Sequence, residues 1–216
     1  MKKNLSDDER ALLDNRIAET EKRTGAQVVV ASIVRSDSYA EIPWKAFAFG
    51  ASIASLVSIF LVLFVLGWLT TILMLFSIAL VIASGAVFAL LSVSLPGFAR
   101  LFLSSARKET ETMQYAESLF LSNELFVTEG RRGILVLVSQ FERQVVILPD
   151  IGVRDRLGAE VLDEIISMMT RHLRQNELRQ AMEIGLNGIR SALGPVKSDR
   201  PDRNELDNEI IEEDGV

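Results

Sequence analysis

The sequence predicts a small α/β domain, a mixed sheet covered by helices, interrupted by a transmembrane helical hairpin. Three observations carry the prediction. Residues 46–99 contain no Asp, Glu, Lys or Arg. Residues 27–34 (QVVVASIV), just before that run, are dense in β-branched side chains, and two similar runs, 134–139 and 144–148, follow it.

Residues 46–99 are long enough for two membrane passes, since one helix crosses a hydrocarbon core of roughly 30 Å with about 20 apolar residues. Gly67-Trp68 reads as the turn, glycine relaxing the backbone and tryptophan suiting the headgroup region. The spans are then expected near 46–66 and 69–91. Trp44 and Lys45 precede the first as interfacial anchors. Arg35 and Lys45 lie before the spans, and Arg100, Arg107 and Lys108 after them, with no charge between. The positive-inside rule therefore places both flanks in the cytoplasm, giving a multi-pass inner-membrane protein with both termini inside. Residues 1–10 hold two lysines, turn acidic and lack an apolar stretch, so they do not read as a signal peptide.

Charge excludes some functions. Of the formal net charge of −6, the tail from Lys197 onward supplies −5, leaving the rest close to neutral and nucleic acid unexpected as a partner. The absence of cysteine excludes disulfides, thiol catalysis and thiolate metal sites.

Along the chain, Ser6-Asp7-Asp8-Glu9 is a capping box that opens a helix with Leu13, Ile17 and Ala18 inward, and Gly25 stops it. Residues 27–34, apolar on both faces, read as a central strand. After the spans, Phe98, Leu101 and Phe102 beside Arg100 suggest a helix lying against the headgroups. A helix over 104–125 follows, with Met113, Ala116, Leu119 and Phe120 inward. Residues 134–139 and 144–148 make a hairpin. Two helices are expected next. The first, over 154–173, has Leu157, Val161, Leu162, Ile165, Ile166, Met169 and Leu173 inward; the second, over 176–193, has Ala181, Gly185, Gly188 and Ala192 forming a smooth face. The first strand and the second are joined through a helix, the connection of parallel neighbours. The expected organisation is a first half-domain (1–45), the membrane hairpin (46–95), a second half-domain (96–194) and a disordered acidic tail (195–216) too poor in apolar residues to fold.

The segment Glu21-Lys22-Arg23-Thr24-Gly25-Ala26-Gln27-Val28-Val29-Val30 resembles the opening of the TPM domain family, and Arg131-Arg132-Gly133 with the apolar strand after it resembles that family's second strand. Several further segments are similar to the family's bacterial membrane branch, which carries two spans between its halves. They are Arg35-Ser36-Asp37-Ser38-Tyr39, Thr128 with Arg131, Ser139 with Glu142-Arg143, and Asp150-Ile151-Gly152. The resemblance covers residues 5–193. It implies relatives that serve in photosystem repair or associate with a receptor, and others proposed to be phosphatases using metal-binding carboxylates. In the latter the loop before the second strand is rich in Asp; here it is Glu129-Gly130-Arg131-Arg132-Gly133, and guanidinium repels a divalent ion.

Four candidate sites follow. Arg131 and Arg132 form an anion-binding candidate, weighed against a loop whose arginine pairs with a domain carboxylate. Arg35, Asp37, Tyr39, Glu142 and Arg143 are expected at one end of the sheet as a polar cluster, with Arg131 and Asp150 sharing the other. Asp37, Glu142 and Asp150 are the catalytic candidates if the domain is a Mg²⁺- or Ca²⁺-dependent phosphatase; no metal or cofactor is otherwise expected. His172, without a His or Cys neighbour, and Glu160 with Glu164 read as surface. Small residues four apart (Gly50, Ala54 and Ser58; Ala79 and Ala83; Gly85 and Ala89) pack the hairpin on itself or join two copies. The leading expectation is a non-enzymatic membrane protein whose cytoplasmic domain binds or assembles a membrane-protein partner. The alternatives are the phosphatase and an anion sensor.

Overall fold

The computed structural model describes residues 5–66, 70–195 and 210–215, which form two compact units. One comprises the described residues up to Asp37 and from Lys108 onward, the other the described residues between Ser38 and Arg107.

Helix α1 (Asp7–Thr24) opens the first unit, and its N-terminus carries the expected reciprocal cap: Glu9 N–H donates to Ser6 Oγ, and Ser6 N–H donates to Glu9 Oε2 at 3.0 Å. The Glu9 carboxyl is held below its ordinary value, chiefly by that backbone N–H. Gly25 ends the helix at φ 64°, and Leu13 and Ile17 are buried while Ala18 is exposed. Strand β1 (Gln27–Arg35) follows.

Within the second unit, helix α2 (Glu41–Leu61) continues into a π-helical turn (Val62–Leu66), and helix α3 (Thr71–Ser94) starts at the cap of Thr70. The Gly67-Trp68 turn lies outside the described residues. The helices are long and apolar enough to cross a membrane over Glu41–Phe64 and Thr71–Ser94, about 36 Å each at 1.5 Å per residue. They meet through small residues. Ala46, Gly50 and Ala54 are buried one turn apart. A Cβ on Gly50 would lie 2.8 Å from the Phe88 ring, and one on Gly85 would lie 2.7 Å from Phe47. Ser84 Oγ donates to Gly50 O at 3.0 Å. These small residues therefore pack the hairpin on itself, whereas Ala79 and Ala83 are exposed. Helix α4 (Pro96–Ala99) and the 3₁₀ turn Arg100–Phe102 close the unit, where Phe49, Phe88, Phe98 and Phe102 form a ring of tilted and edge-on contacts with centroids 5.4–5.9 Å apart.

The first unit resumes within α5 (Ser105–Ser122), at Lys108, and continues through β2 (Gly133–Ser139), β3 (Gln144–Pro149), the short α6 (Ile151–Arg154), α7 (Ala159–Arg174), α8 (Leu178–Leu193) and β4 (Ile211–Gly215). The sheet is mixed, in order β3-β2-β1-β4. β1 is parallel to β2 with Gln27 beside Gly133, β1 is parallel to β4, and β2 is antiparallel to β3. Strand alternation splits the apolar residues between the faces. Val28, Val30, Ile134, Val136, Val138, Val145 and Ile147 pack with residues of α1, α7 and α8, and Val29, Ala31, Ile33, Leu135, Leu137 and Val146 with Ala116 and Leu119 of α5. α8 lies close to α7 because Gly185 and Gly188 leave room for Met169 and Ile165, whose atoms come within 2.6 and 2.7 Å of where a Cβ would stand.

Besides the exposure of Ala18, four details differ from the sequence reading. The helix expected over 154–173 is broken, with α6 and α7 separated by a turn that buries Leu157, and Val161 points outward. Met113 of α5 is exposed. The compact hairpin unit is wider than residues 46–95. Most consequentially, part of the tail folds. Ile211–Gly215 is an edge strand on β1, with Ile210 3 % exposed in the core; residues 196–209 and 216 of the tail lie outside the described residues. Composition alone misreads this segment because its order comes from β1, whose free edge supplies backbone partners that the acidic side chains do not.

Candidate functional site

The parallel pairing of β1 and β2 and the β2–β3 hairpin sort the polar candidates to two ends of the sheet. At the end where β1 stops, the hairpin turn is tied to β1 by Gln140 N–H to Ile33 O and Phe141 N–H to Val34 O, and Arg143 adopts φ 53°. This brings Glu142 beside Ser36. Glu142 Oε1 accepts the Ser36 N–H at 2.8 Å, and its other oxygen accepts the Ser139 hydroxyl. The Ser36 hydroxyl donates to Thr112 Oγ1 at 3.1 Å, and Thr112 donates to Lys108 O at 2.7 Å. Ser36, Thr112, Ser139 and Glu142 are all buried. A buried carboxylate is tolerable only where donors replace its lost water, and these donors do so.

The five-residue cluster expected at this end is thus arranged differently. Glu142 is its buried centre, Asp37 and Arg143 are half-buried, Arg35 is exposed, and Tyr39 belongs to the other compact unit. Arg143 Nε is buried without a hydrogen-bond partner. Sequence reasoning overlooked Ser36 and Thr112 as partners, because a lone hydroxyl at a strand end or in a helix has no signature of its own. Ser139 and Glu142 were legible as a spaced pair.

At the opposite end, Arg131 and Asp150 meet as expected, in a two-pronged pair with Nε to Oδ2 at 2.7 Å and Nη2 to Oδ1 at 3.0 Å. The loop is shaped for it. Gly130 and Arg131 take φ 74° and 55°, Arg131 N–H donates to Thr128 O, and the Thr128 side chain accepts Arg132 N–H at 3.1 Å. Gly152 N–H donates to Arg131 O, and a Cβ on Gly152 would stand 2.1 Å from Gly130 O, so only glycine lets α6 approach the loop. Asp150 also caps α6 through Ile151 N–H at 2.7 Å. Burial pushes the Asp150 carboxyl up. The Arg131 and Ile151 hydrogen bonds and the charges of Arg131 and Arg154 outweigh it, and hold the carboxyl below the ordinary aspartate range. Arg131 is raised in turn, first by its hydrogen bond to Asp150.

The fork of Arg131 is therefore occupied by a domain carboxylate, and of the anion candidates Arg132 presents an exposed guanidinium without such a partner among the described residues. The carboxylates do not converge. Asp150 lies at the Gly133 end of β2 and Glu142 at the Ser139 end, about 20 Å apart along a strand rising 3.3 Å per residue. A site joining Asp37, Glu142 and Asp150 around one ion, at ligand distances near 2–2.6 Å, is excluded by that separation. Among the described residues no three His, Cys, Asp or Glu side chains are grouped so as to hold a metal. His172 is half-buried at the end of α7, where Nδ1 lies 2.6 Å from Glu177 Oε2 across the turn to α8. Glu160 and Glu164 are exposed.

Residues 100–192 match the family model described as the TPM domain. The match stops short of α1 and β1. The fold extends beyond it: the NMR structure of the BA42 protein from the psychrophilic bacterium Bizionia argentinensis is similar over 98% of this chain and 97% of that one, with a TM-score of 0.58 at 15% identity. The curated proteins include no match to this chain.

Proposed function

We propose that this chain is an integral membrane protein whose TPM domain recognises another membrane protein and helps assemble it, without chemistry of its own. The observation that carries the reading is the separation of the carboxylates to two ends, each with partners of its own: Glu142 is enclosed by Ser36 and Ser139, and Asp150 is closed by Arg131. Among the described residues neither end presents a nucleophile beside an open base, and the carboxylates a metal would need are a strand length apart. A membrane location is supported by the two helices of the hairpin, whose outer faces expose Leu56, Phe64, Ile72 and Phe76. With Lys45 in the first turns of the first span and Arg100, Arg107 and Lys108 after the second, both termini lie in the cytoplasm, at a bacterial inner membrane.

Crosslinking in native membranes, followed by identification of the captured protein, tests the reading. One recurrent membrane-protein partner, lost when exposed domain residues such as Arg132, Val127 and Ile151 are substituted, is the expected result. Turnover of a phosphate ester by the purified protein with Mg²⁺ or Ca²⁺, abolished in Asp37→Ala or Asp150→Ala, overturns it. Reporters fused at Met1 and Val216 are both expected to read cytoplasmic.

A further inference from the structure

Helix α7 turns one face to the outside. Ile165, Met169 and Leu173 are buried on its inner side, while Glu160, Asp163, Glu164, Ser167, Arg171 and Arg174 are exposed. At about 100° per residue these six fall within a stripe roughly 100° wide, and along it they run in order: three acids, a serine, two arginines. Other helices mix their signs. Arg16 pairs with Glu19 in α1, Lys45 with Glu41 in α2, and Arg179 with Glu183 in α8, each three or four residues apart. The acids and arginines of α7 are seven or more residues apart, beyond that reach, and among the described residues none of the five has an ion-pair partner. The helix dipole accounts for Glu160 in the first turn and for Arg171 and Arg174 in the last, but it falls off before Asp163 and Glu164.

The stripe is arranged symmetrically about Ser167. Glu160 and Arg174 lie seven residues to either side of it, and Asp163 and Arg171 four, with Glu164 next to Asp163. A stripe acidic at one end and basic at the other complements itself when reversed. We propose that α7 is the contact face of a dimer, crossing antiparallel on the α7 of a second copy with Ser167 at the two-fold axis. The axis sets Glu160 of each copy against Arg174 of the other, and Asp163 and Glu164 against Arg171, so every charge of the stripe meets an opposite one. The small Ser167 side chain lets the two helices close to about 8–10 Å between axes. A foreign acidic or basic segment would satisfy one end of the stripe and leave the other unpaired, and for that reason the second copy is the occupant. The contact uses the first unit alone and does not depend on a membrane location.

The chain has no native cysteine, so one added thiol reports on one position. Ser167→Cys at the axis is placed in the purified full chain in detergent, with Glu117→Cys, exposed on α5, as the control. Facing Cα atoms of helices packed this closely come within the about 4.4–6.8 Å that a disulfide spans. On oxidation the dimer linked through residue 167 is expected to exceed that linked through residue 117 at least roughly tenfold, and to diminish in about 1 M salt, which screens exposed charges. Charge reversal adds a second arm. One tagged Ser167→Cys chain carries Glu160→Arg, Asp163→Arg and Glu164→Arg; the other, with a different tag, carries Arg171→Glu and Arg174→Glu. Each alone opposes like charges across the axis, whereas the mixture matches both contacts. The expected result is a crosslink lost at least roughly tenfold in each variant alone and restored as mixed-tag product when the two are combined, which also shows that both fold. Equal crosslinking through residues 167 and 117 overturns the dimer, and that comparison stands whatever the reversals do to folding. Crosslinking through residue 167 that ignores the reversals overturns the charge-matched crossing. Loss in each variant without recovery in the mixture does so too, since a foreign segment on one end of the stripe yields no mixed-tag product.

Discussion

Gly152→Ala is expected to destabilise the first unit even though a helical Gly→Ala change ordinarily stabilises. Gly152 lies in α6, where alanine lowers the entropy of the unfolded chain and gains about 0.4–1 kcal/mol. Against this, the added Cβ would stand 2.1 Å from Gly130 O and 2.6 Å from Arg131 O. These are backbone oxygens of a loop fastened by Thr128 and by the Arg131–Asp150 pair, so neither can swing away as a side chain could. Forcing α6 off the loop costs about 1–3 kcal/mol on the scale of overpacked interiors and also loosens the Gly152 N–H bond to Arg131 O. The clash wins, and the net loss is about 1–2 kcal/mol, equivalent to roughly 3–6 °C in Tm for a domain of this size. Circular dichroism melts of the detergent-solubilised full chain measure it, with Gly188→Ala beside it: there the obstacle is Ile165, a side chain. An unchanged or raised Tm for Gly152→Ala refutes the close approach of α6 to the loop.

Other perturbations reach other parts of the molecule. The lowered Asp150 carboxyl means that the folded state binds fewer protons than the unfolded one at acid pH, so its contribution is complete above the ordinary value near ~3.9 and is lost as pH falls through the lower folded value. Tm measured from pH 6 to 2 is expected to drop in that acid window, and Asp150→Asn to flatten the drop. Glu142→Leu removes the acceptor of the Ser36 N–H and the Ser139 hydroxyl, leaving two buried donors at about 1–3 kcal/mol each, while Glu142→Gln retains an acceptor and loses less; urea midpoints rank them. In the hairpin, Gly85→Leu cannot coexist with Phe47 and is expected to part α2 from α3, visible as a changed electrophoretic mobility in detergent, whereas Ala79→Leu on the exposed face is expected to leave it unaltered.

Local chemistry made much of this architecture readable. Ser6 and Glu9 announce the start of α1, Gly25 its end, and a helix-containing crossover from residues 27–34 to 134–139 announces parallel neighbours. The pairing of Arg131 with Asp150 followed from that topology, because parallel β1 and β2 and a tight β2–β3 hairpin leave residues 131 and 150 no other end. What escaped was decided by distant parts of the chain. Glu212 and Glu213 look solvated in sequence and find Arg10 and Tyr115 in the fold. The carboxylates Asp37, Glu142 and Asp150 look like a metal set as a list, and a strand of seven residues holds two of them apart. Ser36 and Thr112 carry no pattern, yet their contact bridges residues 76 positions apart.

That contact decides what the hairpin is needed for. The first unit is left after Asp37 and resumed at Lys108, and within it Ser36 Oγ lies 3.1 Å from Thr112 Oγ1, which bonds Lys108 O at 2.7 Å. The points of exit and return are therefore adjacent, and a linker of about eight glycine and serine residues spans them. Replacing residues 38–107 in this way shortens the loop that separates β1 from β2, and loop-closure entropy then favours the folded unit by up to about 1 kcal/mol. The gain is smaller to the extent that α2 and α3 already draw their own ends together. The excised protein is expected to fold with β1 beside β2, shown by protection of the amides of Val28, Val30, Leu135 and Leu137 from hydrogen exchange, and to leave the membrane fraction. Loss of that protection would show that the hairpin is required for the sheet itself. Retained protection together with lost partner capture assigns the hairpin to placing the domain at the bilayer, the role that its position between two adjacent strands suits.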